Sequence, residues 1–103
     1  MMTANTERMR EWAQPASVLF RALSNEVGLL VLCHLSQGAK SIEELAQLTG
    51  NKKTAITPQL SRLQRYNIVT SQRRNRRLFF SLTSREVPIF LDAAKRACEP
   101  IEL

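Results

Sequence analysis

Three side chains carry the strongest nucleophilic or metal-binding chemistry in this chain: Cys33, His34 and Cys98. Two cysteines in such a chain read as free or redox-active rather than structural. A cysteine inside Val-Leu-Cys-His-Leu also reads as a small buried hydrophobe. His34 adjoins Cys33, but neighbours along a helix do not face each other, so it reads as a surface or satisfied core histidine. A metal site needs several N, O or S donors in fixed geometry. One His and two Cys fall short, so no metal and no cofactor is expected. Nothing supplies a nucleophile–base pair, a glycine-rich phosphate loop or paired catalytic carboxylates, which argues against an enzyme.

Charge is the second chemistry. The chain has 103 residues with 15 Lys+Arg against 9 Asp+Glu, a formal net charge of +6. The acids all lie at or before Glu44, or at or after Glu86. Between them fall Lys52, Lys53, Arg62, Arg65, Arg73, Arg74, Arg76, Arg77 and Arg85. A long cationic stretch without an anion is the electrostatic footprint of a nucleic-acid binder. Four Phe, one Tyr and one Trp offer few platforms for stacking single-stranded bases, which favours duplex DNA. The longest apolar run, Leu29 to Cys33, is far short of a membrane span. The N-terminal segment is polar and mixed in charge, so no secretory signal is visible. No membrane partner and a cytoplasmic location are expected.

A single domain over 1–103 must position these groups. Val18, Leu19, Ala22 and Leu23 have helical spacing. Pro15 either opens that helix at its first position or lies inside a longer one running from Glu7. Asn25 can cap a second helix that Gly38 ends. Val27, Leu30, Val31 and Leu35 line one of its faces, and Leu29 and Leu32 widen the stripe, as in a central helix. Ser41-Ile-Glu-Glu44 is a capping box opening a short third helix that Gly50 ends. A fourth follows, with Ile56, Leu60 and Leu63 as its buried stripe. Thr54, Thr57, Pro58, Ser61 and Arg65 lie opposite, with Arg62 to one side, a composition suited to phosphates and base edges. Ile68–Arg73 and Arg77–Leu82 read as two strands around an arginine-rich tip at Asn75. Thr83 or Ser84 caps a last helix that Pro100 stops, and Pro88 falls in or after its first turn.

Pro58 leaves two readings of the fourth helix. With Asn51 as N-cap, the proline falls inside and removes a hydrogen bond to the Thr54 carbonyl. With Thr57 as N-cap, Pro58 is a helix start, but Ile56 is then stranded outside its stripe. A kinked or two-part helix is the expectation. The order is helix, helix, helix-turn-helix (41–66), β-hairpin (68–82), helix: a mainly α winged helix-turn-helix with a β-hairpin wing, α+β in class.

FRALSNEVGLLVLCHLSQG, SIEELAQLTG, LSRLQRYNIV and RRLFFSLTS resemble the ArsR/SmtB family of small bacterial repressors over nearly the whole chain. The resemblance implies a homodimer formed by the first and last helices (about 5–24 and 84–98). It also implies a double-stranded operator as partner. It places Lys53, Thr54, Thr57 and Gln59 on DNA, with Lys52 and Arg62 on phosphates. Ser61 and Arg65 share that face, and Arg74, Asn75 and Arg76 would reach the flanking groove. The family's usual metal ligands are missing: no cysteine pair stands near Glu43–Ala46, and the last helix has Asp92 but no His. Cys33 and Cys98 are instead placed like the thiols of the redox- and persulfide-sensing branch, where they bridge within one subunit. Ala97 stands where that branch usually has an aromatic. The alternatives are a DNA binder without thiol sensing, or a winged-helix protein-interaction module, for which Pro58 is the main support.

Overall fold

Signals at the helix ends set most of the element order. The structure is a computed structural model that describes residues 5–99; Pro100, expected to stop the last helix, lies outside them. Helix α1 (Thr6–Leu23) starts at Asn5, whose side chain accepts from the Glu7 and Arg8 amides at 3.1 and 3.3 Å. Pro15 lies inside α1, so the longer-helix reading holds. Helix α2 (Glu26–Leu35) meets α1 at 97°, and Asn25 caps it by accepting from the Gly28 amide at 3.0 Å. Strand β1 (Lys40–Ser41) leads into α3 (Ile42–Thr49), and both halves of the Ser41/Glu44 capping box form, at 2.9 and 3.1 Å. Gly50 ends α3 in the left-handed conformation at φ 71, which it adopts without a Cβ clash.

Helix α4 (Lys53–Arg65) runs through Pro58 as one element. The Thr57-start reading is excluded, and the expected division into two parts is absent. The N-cap is Lys52, one residue later than Asn51 and without a side-chain cap bond. Magnitudes explain the continuity. An internal proline costs about 3 kcal/mol. Ile56, Leu60 and Leu63 are at most 1% exposed, and burying three such side chains contributes roughly 5–9 kcal/mol. Pro58 itself is exposed, so its ring displaces no core atom.

Asn67 terminates α4. It sits in the left-handed region (φ 59), its amide donates to Gln64 O at 3.0 Å, and the Ile68 amide donates to Leu63 O at 2.9 Å. That pair of bonds is a Schellman motif with Asn in the place of glycine. Ile68 and Leu63 are both buried and pin the turn.

Strands β2 (Val69–Arg74) and β3 (Arg77–Leu82) form the hairpin. Asn75 and Arg76, at φ 49 and 70, make its two-residue turn; positive φ at both positions marks the type that matches strand twist. The sheet has three strands, not two, in the order β1-β3-β2, with Lys40 opposite Phe80 and Ser41 opposite Phe79. Two residues carry no readable alternation, so β1 had no signal in the sequence. It matters because Ser41 both ends a strand and caps α3, tying the hairpin to the helix-turn-helix.

Helix α5 (Glu86–Cys98) has Pro88 in its first turn, where a missing N–H is tolerated. Ser84 Oγ accepts from the Glu86 amide at 3.1 Å, while the Thr83 hydroxyl donates to Asn67 O. The core joins Leu23, Val31, Leu32, Leu35, Leu45, Leu60, Phe80 and Leu91 across α1–α5 and the sheet. On α2, Leu32 is fully buried and Leu30 is exposed, so the buried face is turned toward Leu32 relative to the expected stripe.

Most of α1 lies outside that core. Only Ala22 and Leu23 are buried, whereas Trp12 is 64% and Phe20 50% exposed. On α5, Ile89 is 69% exposed, and the Phe20 and Phe90 rings lie 5.0 Å apart. An isolated helix is marginal in water without an apolar face to bury, so α1 and α5 present a shared surface suited to an apolar partner.

Candidate nucleic-acid interface and thiol groove

The core stripe of α4 turns its other side to solvent. Lys52, Lys53, Thr54, Thr57, Pro58, Ser61 and Arg65 are all exposed. Thr57 Oγ1 donates back to the Lys53 carbonyl at 2.9 Å. Lys53 Nζ lies 3.2 Å from Glu43 Oε2 on α3. Two expected DNA-facing residues are engaged inward. Gln59 is half-buried, its Oε1 3.4 Å from where a Cβ on Gly28 would stand, so it leans on the start of α2. Arg62 is half-buried, and its Nη2 donates to the Arg21 carbonyl at 2.6 Å.

The hairpin projects its own cations. Arg73, Arg74, Asn75 and Arg76 are exposed at and beside the tip. Arg77, the first residue of β3 after the turn, donates to Ser41 Oγ at 3.1 Å and lies 3.7 Å from Glu43 Oε1. Its guanidinium also stands 5.6 Å over the Phe79 ring. The Glu43 carboxyl is held below its ordinary value, first by a hydrogen bond from its own backbone amide and then by Lys53 and Arg77. Glu44 is lowered too, first by the Ser41 amide. The wing and the start of α4 thus form a cationic surface into which one carboxylate, Glu43, reaches.

The thiols lie elsewhere. Cys33, expected to be buried if it were a packing residue, is exposed. Cys98, the last residue of α5, is exposed as well, and both are free. The two line one apolar groove together with Leu29, Leu91, Ala94 and Lys95. The fold therefore brings residues 65 positions apart, on α2 and α5, to one site. Among the described residues no three His, Cys, Asp or Glu side chains gather as metal ligands would.

Three features escaped the sequence reading: the Arg62–Arg21 bond, the sharing of Glu43 by Lys53 and Arg77, and the packing of Gln59 on Gly28. All are long-range contacts of polar side chains, which periodicity does not encode.

No family model matches the chain. It is 30% identical over 89 residues to the HTH-type transcriptional regulator YgaV of Escherichia coli, spanning 85% of this chain and 90% of that protein. The fold is similar to the transcriptional repressor BigR of Xylella fastidiosa, with a TM-score of 0.85 and 26% identity over 95% of this chain and 100% of the other. It is also similar to reduced HlyU of Vibrio cholerae, with a TM-score of 0.81 and 26% identity over 91% and 99%. With the helix-turn-helix, the wing and these likenesses in place, the chain belongs to the ArsR/SmtB family of winged helix-turn-helix transcriptional regulators, in the branch that includes HlyU and BigR.

Proposed function

We propose that the protein is a homodimeric repressor in the cytoplasm whose operator binding is switched by oxidation or persulfidation of Cys33 and Cys98. The observation that carries the switch is the shared groove of the two exposed thiols. Dimerisation through α1 and α5 gives Trp12, Phe20 and Ile89 an apolar partner. Two-fold symmetry then sets the two α4 helices about one DNA turn apart, in successive major grooves. Thr54, Thr57 and Ser61 face the bases. Lys52, Lys53, Arg65, Arg74, Asn75 and Arg76 hold phosphates or the flanking groove, while Gln59 and Arg62 brace the helix from behind.

Peroxide takes two electrons from the thiol pair. One sulfur is first oxidised to the sulfenic acid with release of water; the other thiol then attacks it, the S–S bond forms and a second water leaves. A bridge from α2 to α5 joins the helix behind the reading head to the dimer helix and alters the spacing of the two heads. A coupling of about 2–3 kcal/mol weakens operator binding some thirty- to hundredfold.

Non-reducing mass spectrometry of peroxide-treated protein tests the bridge. The expected product is one subunit lighter by two hydrogens, with Cys33 and Cys98 peptides joined. Sulfinic acid on a lone cysteine, with no joined peptide, contradicts it. The exposed Pro58 favours a second reading, an interaction module that does not read DNA; absence of binding to genomic fragments at low salt selects that reading.

A further inference from the structure

Glu43 is out of place on a DNA-facing surface. Its carboxylate lies 3.2 Å from Lys53 Nζ, at the start of α4, and 3.7 Å from Arg77 Nη2, beside the turn of the wing. With Arg73, Arg76 and Arg77 it lines one cleft between α3 and the hairpin. Among the described residues no other carboxylate is within ion-pair distance of the cations between Lys52 and Arg85.

Folding stability does not account for this arrangement. Both pairs are about half exposed, and exposed pairs contribute at most about 1 kcal/mol. Arg77 also has the Ser41 hydroxyl and the Phe79 ring to hold it. In the field of a polyanion the same carboxylate acts strongly: it occupies two cations that would otherwise neutralise phosphates, and it repels the backbone approaching between α4 and the wing.

We infer that Glu43 is a specificity-determining residue that restrains sequence-independent DNA binding by acting as an internal stand-in for phosphate on Lys53 and Arg77. This rests on the DNA-binding reading above. Non-specific affinity is almost wholly phosphate neutralisation, so a built-in competitor for two of the cations weakens random sites most. An operator, which adds contacts to base edges, displaces Glu43 from Lys53 and retains more of its affinity.

The test uses the full chain and a random-sequence duplex, with binding followed by fluorescence anisotropy across a salt series. Glu43→Gln is expected to bind about fivefold tighter at low salt. Its log–log salt slope is expected to be steeper by about 0.9 for each further phosphate neutralised. Glu44→Gln removes an equal charge one residue away and keeps a capping-box residue type, so it is expected to give a clearly smaller gain. Lys53→Gln is expected to weaken binding more in the Glu43→Gln background than in the parent, a coupling that a purely structural role does not produce. An unchanged or weaker Glu43→Gln, an equal gain from Glu44→Gln, or an identical Lys53→Gln effect in both backgrounds overturns the inference. A parent chain that does not bind the duplex at low salt overturns the DNA-binding reading itself.

Discussion

Arg62 Nη2 donates to the Arg21 carbonyl at 2.6 Å, joining α4 to the end of α1 across 41 positions of sequence. The same carbonyl accepts from the Ser24 amide at 3.3 Å and the Ser24 hydroxyl at 2.8 Å. A guanidinium at a helix C-terminus complements the dipole and adds a charge-assisted bond to a carbonyl that Ser24 already serves. Arg62 thus orients α4 against the helix that carries the exposed apolar surface.

Arg62→Ala is expected to lower stability by about 1–2 kcal/mol, read by denaturant unfolding, through loss of a charge-assisted hydrogen bond. It is also expected to leave the salt slope of DNA binding unchanged. A slope shallower by about 0.9 would mean that Arg62 leaves Arg21 for a phosphate in the complex.

Pro58→Gln restores an amide able to bond the Thr54 carbonyl in the interior of an exposed helix face. Stability is expected to rise by about 2–3 kcal/mol, and DNA affinity to rise with it. Thermal unfolding and anisotropy check the two effects separately; no gain in stability would mean that the surrounding helix has already relaxed around the proline.

At the wing tip Arg76 is held at φ 70, a left-handed conformation costing an L side chain about 1 kcal/mol. Arg76→Gly is expected to stabilise the hairpin by up to that amount, because Asn-Gly is the preferred pair for this turn. It is expected at the same time to weaken DNA binding and reduce the salt slope by about 0.9. Opposite signs in stability and affinity are the signature of a residue kept for contact.

The capping box brings a pH dependence with a definite sign. Glu44 titrates below its ordinary value of 4.5 in the folded chain, chiefly because the Ser41 amide donates to its carboxylate. A group lowered on folding contributes its stability above the unfolded value. That contribution is lost as pH falls through the lowered folded value. Glu43, lowered by its own amide and by Lys53, adds in the same direction. Stability is therefore expected to decline from about pH 5 downward, and Glu44→Gln to flatten part of that decline. An unchanged acid limb in Glu44→Gln would contradict it.

Several helix ends were readable in the sequence because single residues make them. Asn25, Ser41 with Glu44, and Gly50 act as their types predict, whereas α2 stops at Leu35 with Ser36 as its C-cap, before Gly38, and the N-cap position of α5 is Arg85, one residue after Ser84. The wing turn at Asn75 was readable for the same reason, although its second positive-φ residue, Arg76, is not one that composition would choose. The two-residue strand β1 is too short for periodicity. On α2, choosing between Leu30 and Leu32 needed the position of the neighbouring helices, because apolar residues surround most of that helix. Packing energy, not local preference, kept α4 whole through Pro58. Charge marked out the cationic surface between Lys52 and Arg77, but the inward turns of Gln59 and Arg62 depend on α1 and α2 and have no local signal.

The thiol switch is the central claim, and a mobility-shift assay on bound genomic fragments tests it most directly. At fixed salt, the parent protein is compared with Cys33→Ser and Cys98→Ser under reductant, peroxide and polysulfide. All three are expected to bind alike under reductant, and only the parent to release DNA under oxidant or polysulfide, by about thirty- to hundredfold. If either serine variant releases DNA as the parent does, the Cys33–Cys98 switch is wrong.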